Sequence, residues 1–308
     1  MNGVRLPVNA LWPTSPAGSD VPDGQPLVLP PSRSVGWDAR LALRFARRDD
    51  RSVLTRRTHS GPLIVQKTLH PEGPEVCQAI VVHPPGGIAG GDRLALSVDV
   101  ATAAHVQLTT PGATKWYRST GVVARQALEV SVAGGATCEW LPQDTIVFDG
   151  ARAELTTSVA LTGDAVFMGW DVICLGRFAS GERFERGFYR QRFELMRDNA
   201  LVWAERVVVD GQCGLAASPV GLNGCPMFGT FLIAAPMIAD DLLIACRGVA
   251  ADDDNATECA VTRLPGVLVA RCRGYSAESA RRWFVALWAV LRPALTGRQA
   301  LPPRIWNT

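Results

Sequence analysis

The chain has 308 residues, with 31 basic and 29 acidic side chains, a formal net charge of +2, and 47% hydrophobic residues. That composition supports a sizeable core and excludes a largely disordered chain, and the balanced charge leaves no footprint for a nucleic-acid binder. The longest apolar run, Phe228 to Ala239, is interrupted by Gly229, Thr230 and Pro236, short of the roughly 18 unbroken apolar residues of a membrane span.

No basic-then-apolar leader opens the sequence, so it reads as a soluble, cytoplasmic protein. Residues 1–33 hold Pro13, Pro16, Pro22, Pro26, Pro30 and Pro31, which predicts a flexible N-terminal tail. Residues 34–308 are expected to form a single β-rich domain.

From Gly36 the pattern turns to short strands. Leu94, Leu96, Val98 and Val100 alternate with Ala95, Ser97 and Asp99, and Ala104, Val106 and Leu108 alternate with His105 and Gln107. The segments around Ala124–Val132, Leu155–Leu161 and Tyr189–Leu195 follow the same period of two. Each predicts a half-buried strand. Turns fall at Gly134-Gly135, Asp149-Gly150, Gly163-Asp164 and Asp210-Gly211. No helix-length pattern interrupts residues 76–210, which argues against a βαβ fold. A sandwich, a barrel or an irregular stacked solenoid remains, and the absence of a fixed sequence repeat counts against a regular one.

One helix is predicted near the C-terminus. Ser276 is its N-cap, Ala280, Trp283, Phe284, Leu287, Trp288 and Leu291 repeat at helical spacing, and Pro293 is expected to stop it. This apolar face suits a core helix, with a partner-binding helix as the alternative.

The eight cysteines include no C-x-x-C pair and the four histidines no H-x-H or H-E-x-x-H pattern, so a closed structural zinc site is not expected. The cysteines read as small buried hydrophobes.

Three segments are candidates for chemistry. His83-Pro-Pro-Gly-Gly-Ile-Ala-Gly-Gly-Asp92 is glycine-rich, but it lacks the Lys-Ser/Thr ending of a phosphate loop and runs into a strand. Thr109-Thr-Pro-Gly-Ala-Thr-Lys-Trp-Tyr-Arg-Ser119 holds Lys115; with Lys67 it is one of only two lysines, the other 29 of the 31 basic residues being arginine. Leu141-Pro-Gln-Asp-Thr-Ile-Val-Phe-Asp-Gly150 carries Asp144 and Asp149. Two carboxylates could serve glycoside hydrolysis or hold a divalent cation, and either aspartate alone could simply cap a turn. No nucleophile elbow is present.

In order and spacing, these three blocks resemble the urease accessory protein D family (UreD, also called UreH), and Pro302-Pro-Arg-Ile-Trp306 resembles that family's terminal signature. The resemblance implies an all-β, irregular stacked, solenoid-like fold with few helices. It implies a non-enzymatic maturation factor, a chaperone that joins accessory proteins F and G (G being the GTPase) on the urease apoprotein and helps deliver nickel. No tightly bound cofactor is implied, only transient Ni2+, and neither nucleic acid nor membrane is an expected partner. By motif match Asp144, Asp149 and Glu182 (in Gly176-Arg-Phe-Ala-Ser-Gly-Glu182) are the candidate nickel-path residues. Two rivals are a β-rich carbohydrate-active enzyme using Asp144 and Asp149, and a scaffold that never touches metal.

Overall fold

The computed structural model describes residues 36–212, 214, 216–251 and 257–307. The proline-rich segment 1–33 lies outside them. The described chain opens with the antiparallel pair β1 (Asp38–Arg48) and β2 (Arg51–Ser60), followed by β3 (Ile64–Leu69) and β4 (Val76–Val82). A coiling stretch comes next: β5 (Gly87–Ile88), β6 (Arg93–Val100), β7 (His105–Thr109), β8 (Thr114–Trp116), β9 (Ala124–Val132), β10 (Thr137–Trp140), β11 (Thr145–Val147), β12 (Arg152–Leu161) and β13 (Val166–Leu175). Strands β14 (Phe188–Arg197) and β15 (Ala200–Asp210) make a hairpin. Then come β16 (Met227–Ala234), helix α1 (Asp240–Arg247), the hairpin β17 (Thr257–Leu264) and β18 (Val267–Gly274), and helix α2 (Ala277–Thr296).

Two sheets result. One has seven strands in the order β15-β14-β12-β9-β6-β1-β2. The other has eleven, with a main path β17-β18-β16-β13-β10-β7-β4-β3 and the short strands β5, β8 and β11 attached. From β4 to β14 the long strands alternate between the sheets and stack in parallel within each. Val76, His105, Thr137 and Val166 share one register, and Leu96, Leu128, Thr157 and Phe193 share another. Each coil takes roughly 30 residues, a stacked-repeat spacing. The architecture is therefore the solenoid-like β-stack that the resemblance implies. It leaves no repeat in the sequence because a rung needs only side chains that fill the interior; leucine, threonine and phenylalanine do this at equivalent positions.

Strands β6, β9 and β12 keep the predicted alternation, since their outer face meets solvent. Strand β7 does not. All five of its residues are buried, where the period-two pattern predicted a half-buried strand, because its polar side is covered too: His105 is engaged by Glu139 and Thr109 by Trp306 of the C-terminal segment. Strands covered on both faces lose their alternation.

Helix α2 begins where predicted, with Ser276 Oγ accepting the Ser279 N–H at 3.1 Å. It buries Trp283, Phe284, Leu287, Trp288 and Leu291, so it is a core helix. Pro293 does not stop it: the helix runs on to Thr296 and ends at Gly297 (φ +70°), whose N–H donates to Pro293 O at 2.9 Å. The N–H that proline lacks would have met the carbonyl of Ala289, an exposed position, so its loss strands no buried acceptor. Helix α1 was not foreseen in the sequence; eight residues with an uncapped start give little periodic signal.

A buried polar network fastens α2 to the sheet. Glu139, fully shielded from solvent, accepts from Trp288 Nε1 at 2.7 Å and Arg292 Nε at 3.0 Å, and lies 2.5 Å from His105 Nε2. Arg292 also pairs with Glu72. Burial alone would raise the Glu139 pKa, but these partners outweigh it and hold the carboxylate below its ordinary value.

Candidate functional site: a cavity between the sheets

The three sequence blocks become adjacent rungs. Gly87 and Ile88 pair with Lys115 and Trp116, and Thr114, Lys115 and Trp116 pair with Thr145, Ile146 and Val147. The last three pair in turn with Ile173, Cys174 and Leu175 of β13. Loop bonds extend the ladder. Tyr117 N–H donates to Ile88 O at 2.9 Å, Phe148 N–H to Trp116 O at 3.0 Å, and Ser119 N–H to Gly150 O at 3.0 Å. Thr109 Oγ1 donates to Leu141 O at 2.6 Å, and it also accepts from Trp306 Nε1 at 2.8 Å. The terminal signature is thus docked on the second block.

The glycines of the first block answer to local geometry. Gly86 and Gly91 have φ of +76° and +94°. A β-carbon on Gly87 would lie 2.3 Å from the Tyr117 ring. Asp92 closes the loop by accepting the N–H groups of Trp37 and Ala89, both at 2.8 Å.

These rungs wall a cavity of about 220 Å³ between the sheets. Its rim carries His83, Gly86, Thr110, Gly112 and Lys115, and its walls are largely apolar, with Leu96, Leu128 and Trp140. Two of its lining side chains titrate unusually. His83 presents a buried Nε2 with no hydrogen-bond partner, and desolvation lowers its pKa against a weaker opposing pull from Asp92. The imidazole is therefore held neutral, with a nitrogen free to bind. Asp171 is half-buried against the cavity wall, and desolvation pushes its pKa up to about 7; the 2.8 Å bond from Gln191 Nε2 opposes the shift and the neighbouring Glu205 charge adds to it. Asp171 also borders a second void of about 20 Å³, room for roughly one water, which Glu205 lines from β15. Glu205 pairs with Arg271 at 2.6 Å.

None of the three carboxylates singled out from the sequence is among the residues lining that cavity. Asp149 and Glu182 do come together: Glu182 Oε1 accepts the Asp149 N–H at 3.0 Å. Both are engaged by arginine. Asp149 accepts the backbone N–H groups of Glu185 and Arg186 and pairs with the Arg186 guanidinium, while Glu182 pairs with Arg177 at 2.7 Å. Burial would raise the Asp149 pKa, but Arg186 and the backbone donors hold it below its ordinary value; Arg177 does the same for Glu182. Asp144 sits at the other end of β11, beside Arg281 of α2 at 3.4 Å, with its pKa raised by burial. Asp144 and Asp149 thus face different arginines and do not converge on one cleft. Among the described residues, no group of three or more His, Cys, Asp or Glu converges on a common point for a metal ion.

Sequence reasoning missed His83 and Asp171 as lining groups. The available signal for Asp171 was an acid inside the otherwise apolar run Val166–Leu175. His83 opens the first block, but one histidine there carries no spacing.

Comparison with known proteins accounts for the three blocks together. The sequence model of the family described as UreD urease accessory protein matches residues 38–307. A urease accessory protein UreD from Dechloromonas aromatica is 52% identical over 281 residues, covering 90% of this chain and 97% of that one. UreD from Pseudomonas fluorescens strain Pf0-1 is 54% identical over 272 residues (88% and 95%), and that from Pseudomonas aeruginosa is 51% identical over 277 (88% and 95%). With nearly its whole described length matched, this chain belongs to the UreD family of urease accessory proteins.

Proposed function

We propose that the chain is a non-enzymatic urease maturation factor that forms a complex with accessory proteins F and G on the urease apoprotein and passes nickel through the inter-sheet cavity. One observation carries the reading: the family's three sequence blocks stack as rungs around a cavity whose lining includes an unpaired imidazole nitrogen and a desolvated carboxylate. A cargo ion needs successive weak stations. Imidazole and carboxylate both suit Ni2+, and apolar walls between them keep each hold brief. Asp171 and then Glu205 continue the series toward β15. Asp144, Asp149 and Glu182 are assigned to the outer approach, where a cation must displace their arginine partners.

The test is urease activation in cells, with urease nickel content and pull-down of the accessory complex measured in parallel. Asp171→Asn and His83→Phe are expected to lower nickel content and activity while the complex still assembles. Full activation by the double variant would leave the metal-free scaffold as the correct description. Glycan turnover by the purified chain that disappears in Asp144→Asn would instead favour the carbohydrate-active enzyme.

A further inference from the structure

Among the described residues, the strand registers set one pair of cysteines directly opposite each other: Cys259 on β17 and Cys272 on β18. The turn between these strands fixes the kind of pair they form. Leu264 and Val267 flank Pro265-Gly266, and Gly266 has φ of +72°, the positive value a type II turn needs at its third residue. Ala235 N–H donates to Gly266 O at 3.1 Å, so the Gly266 backbone faces β16 and that of the next residue, Val267, faces β17, which makes Leu264 and Val267 a hydrogen-bonded pair. The register shows no shift from there to the strand ends. Hydrogen-bonded and non-hydrogen-bonded pairs alternate along an antiparallel ladder, which makes Cys259–Cys272 a non-hydrogen-bonded pair. In such pairs the Cα atoms lie about 4.5 Å apart and the side chains approach most closely, within the Cα range of about 4.4–6.8 Å that a disulfide spans.

The other described cysteines lack this placement. Cys77 and Cys138 are separated in their ladder by Val106, and Cys174 faces Met227. The opposed pair is also asymmetric: Cys272 is buried beneath α2 beside Gly229 and Phe284, whereas Cys259, on the edge strand, is half-buried. The Cys272 thiol hydrogen-bonds to Cys259, lowering the Cys259 pKa and raising that of Cys272.

We propose that Cys259 and Cys272 form an oxidation-sensitive dithiol, which hydrogen peroxide converts to a disulfide across the β17–β18 hairpin. Cys259, the more open sulfur, attacks the peroxide oxygen as thiolate. The O–O bond breaks, the leaving hydroxide takes up the thiol proton as water, and Cys259 becomes a sulfenic acid. The Cys272 sulfur then attacks Cys259 sulfur and displaces the hydroxyl as a second water, with its own proton supplying the hydrogen. One peroxide is reduced, two thiols are oxidised by two electrons in total, and thiol reductants reverse the bond. The device would tie the free edge of the larger sheet into a closed loop under oxidative conditions.

The test uses the full-length reduced protein exposed to hydrogen peroxide, with alkylation, proteolysis and mass spectrometry to map the products. The expected product is a peptide pair linked through Cys259 and Cys272, formed before any other cysteine is oxidised and lost on treatment with dithiothreitol. In Cys272→Ser, dimedone should label Cys259, and Cys259→Ser should abolish the link. Mapping of the unmutated chain decides the matter even if a variant fails to fold. Oxidation of other cysteines while Cys259 and Cys272 remain alkylatable, or no reaction at either, would overturn the proposal.

Discussion

The indole of Trp288 donates a 2.7 Å hydrogen bond to Glu139, joining the middle of α2 to the middle of β10 across residues far apart in the chain. Arg292, one turn further along, reaches the same carboxylate and continues to Glu72. Helix, sheet and the β3–β4 connection are therefore tied through a single buried charge.

Removing one member of that group strands the others. Glu139→Gln should destabilise the fold by about 3–5 kcal/mol, because it leaves Arg292 with less counter-charge in a dry site. Urea denaturation of variant and parent checks this; a midpoint unchanged in Glu139→Gln would show the network to be dispensable. Arg292→Met strands two buried carboxylates, Glu139 and Glu72, and should cost at least as much as Glu139→Gln.

Asp171 sets a pH dependence of stability. Its pKa is raised from 3.8 to about 7 in the folded protein, so the folded state binds the extra proton between those values. Stability is therefore highest below about pH 4 as far as this group is concerned, and falls as pH rises through 7. The loss is on the order of 4 kcal/mol at about 1.4 kcal/mol per pH unit. Asp171→Asn should raise the melting temperature at pH 8 and leave it nearly unchanged at pH 4. Parallel pH profiles for the two proteins would contradict the assignment. Cation binding in the cavity should weaken over the same interval as acid protonates the carboxylate.

Asp149 anchors the loop that follows β13. Its Oδ1 accepts two consecutive backbone N–H groups, from Glu185 at 3.0 Å and Arg186 at 2.8 Å. Asp149→Ala leaves both donors unpaired and should cost about 1–3 kcal/mol, with faster tryptic cleavage at Arg183 and Arg186. Asp149→Asn retains an acceptor and should lose less. Equal cleavage rates in all three proteins would remove the anchoring role.

Lys115 places a positive charge at the cavity rim, with Nζ 3.4 Å from Ala113 O. If a cation enters there, Lys115→Met should ease its entry and increase nickel bound per chain in equilibrium dialysis at low salt. Reduced nickel binding in that variant would point to an anionic visitor instead.

Gly87 and Tyr117 define the tightest contact between the first two blocks. Gly87→Ala must push the tyrosine ring out of place, away from its edge-to-face contact with Phe148 at 5.3 Å. A loss of about 1–3 kcal/mol follows from overpacking of this kind. Tyr117→Ala in the same chain should relieve part of that loss, which a double-mutant cycle measures.

The elements legible in the sequence were those with one wet face. Strands β6, β9 and β12 have a solvent-facing side and so display their period, as Arg125, Glu129 and Ser131 do on β9. Strand β10 shows no such signal, because Glu139 is satisfied by α2 rather than by water, a partner some 150 residues away. The stacking itself was legible only through resemblance, since no sequence period marks the coils. The site was half legible. The three blocks identify its walls, but the groups inside them, His83 and Asp171, are single residues whose meaning comes from desolvation, and desolvation depends on the finished fold.

Because the cavity is walled by rungs, its depth comes in steps. Neighbouring strands stand about 4.8 Å apart, and each of β5, β8 and β11 contributes one such interval. A protein built this way lengthens its bore by inserting a whole coil, which leaves every existing pairing intact. It cannot stretch by fractions, because a slip of one residue within a rung would turn the lining side chains outward. Bore length in this architecture is therefore counted in coils, and the lining residues of one coil can change without disturbing those of the next.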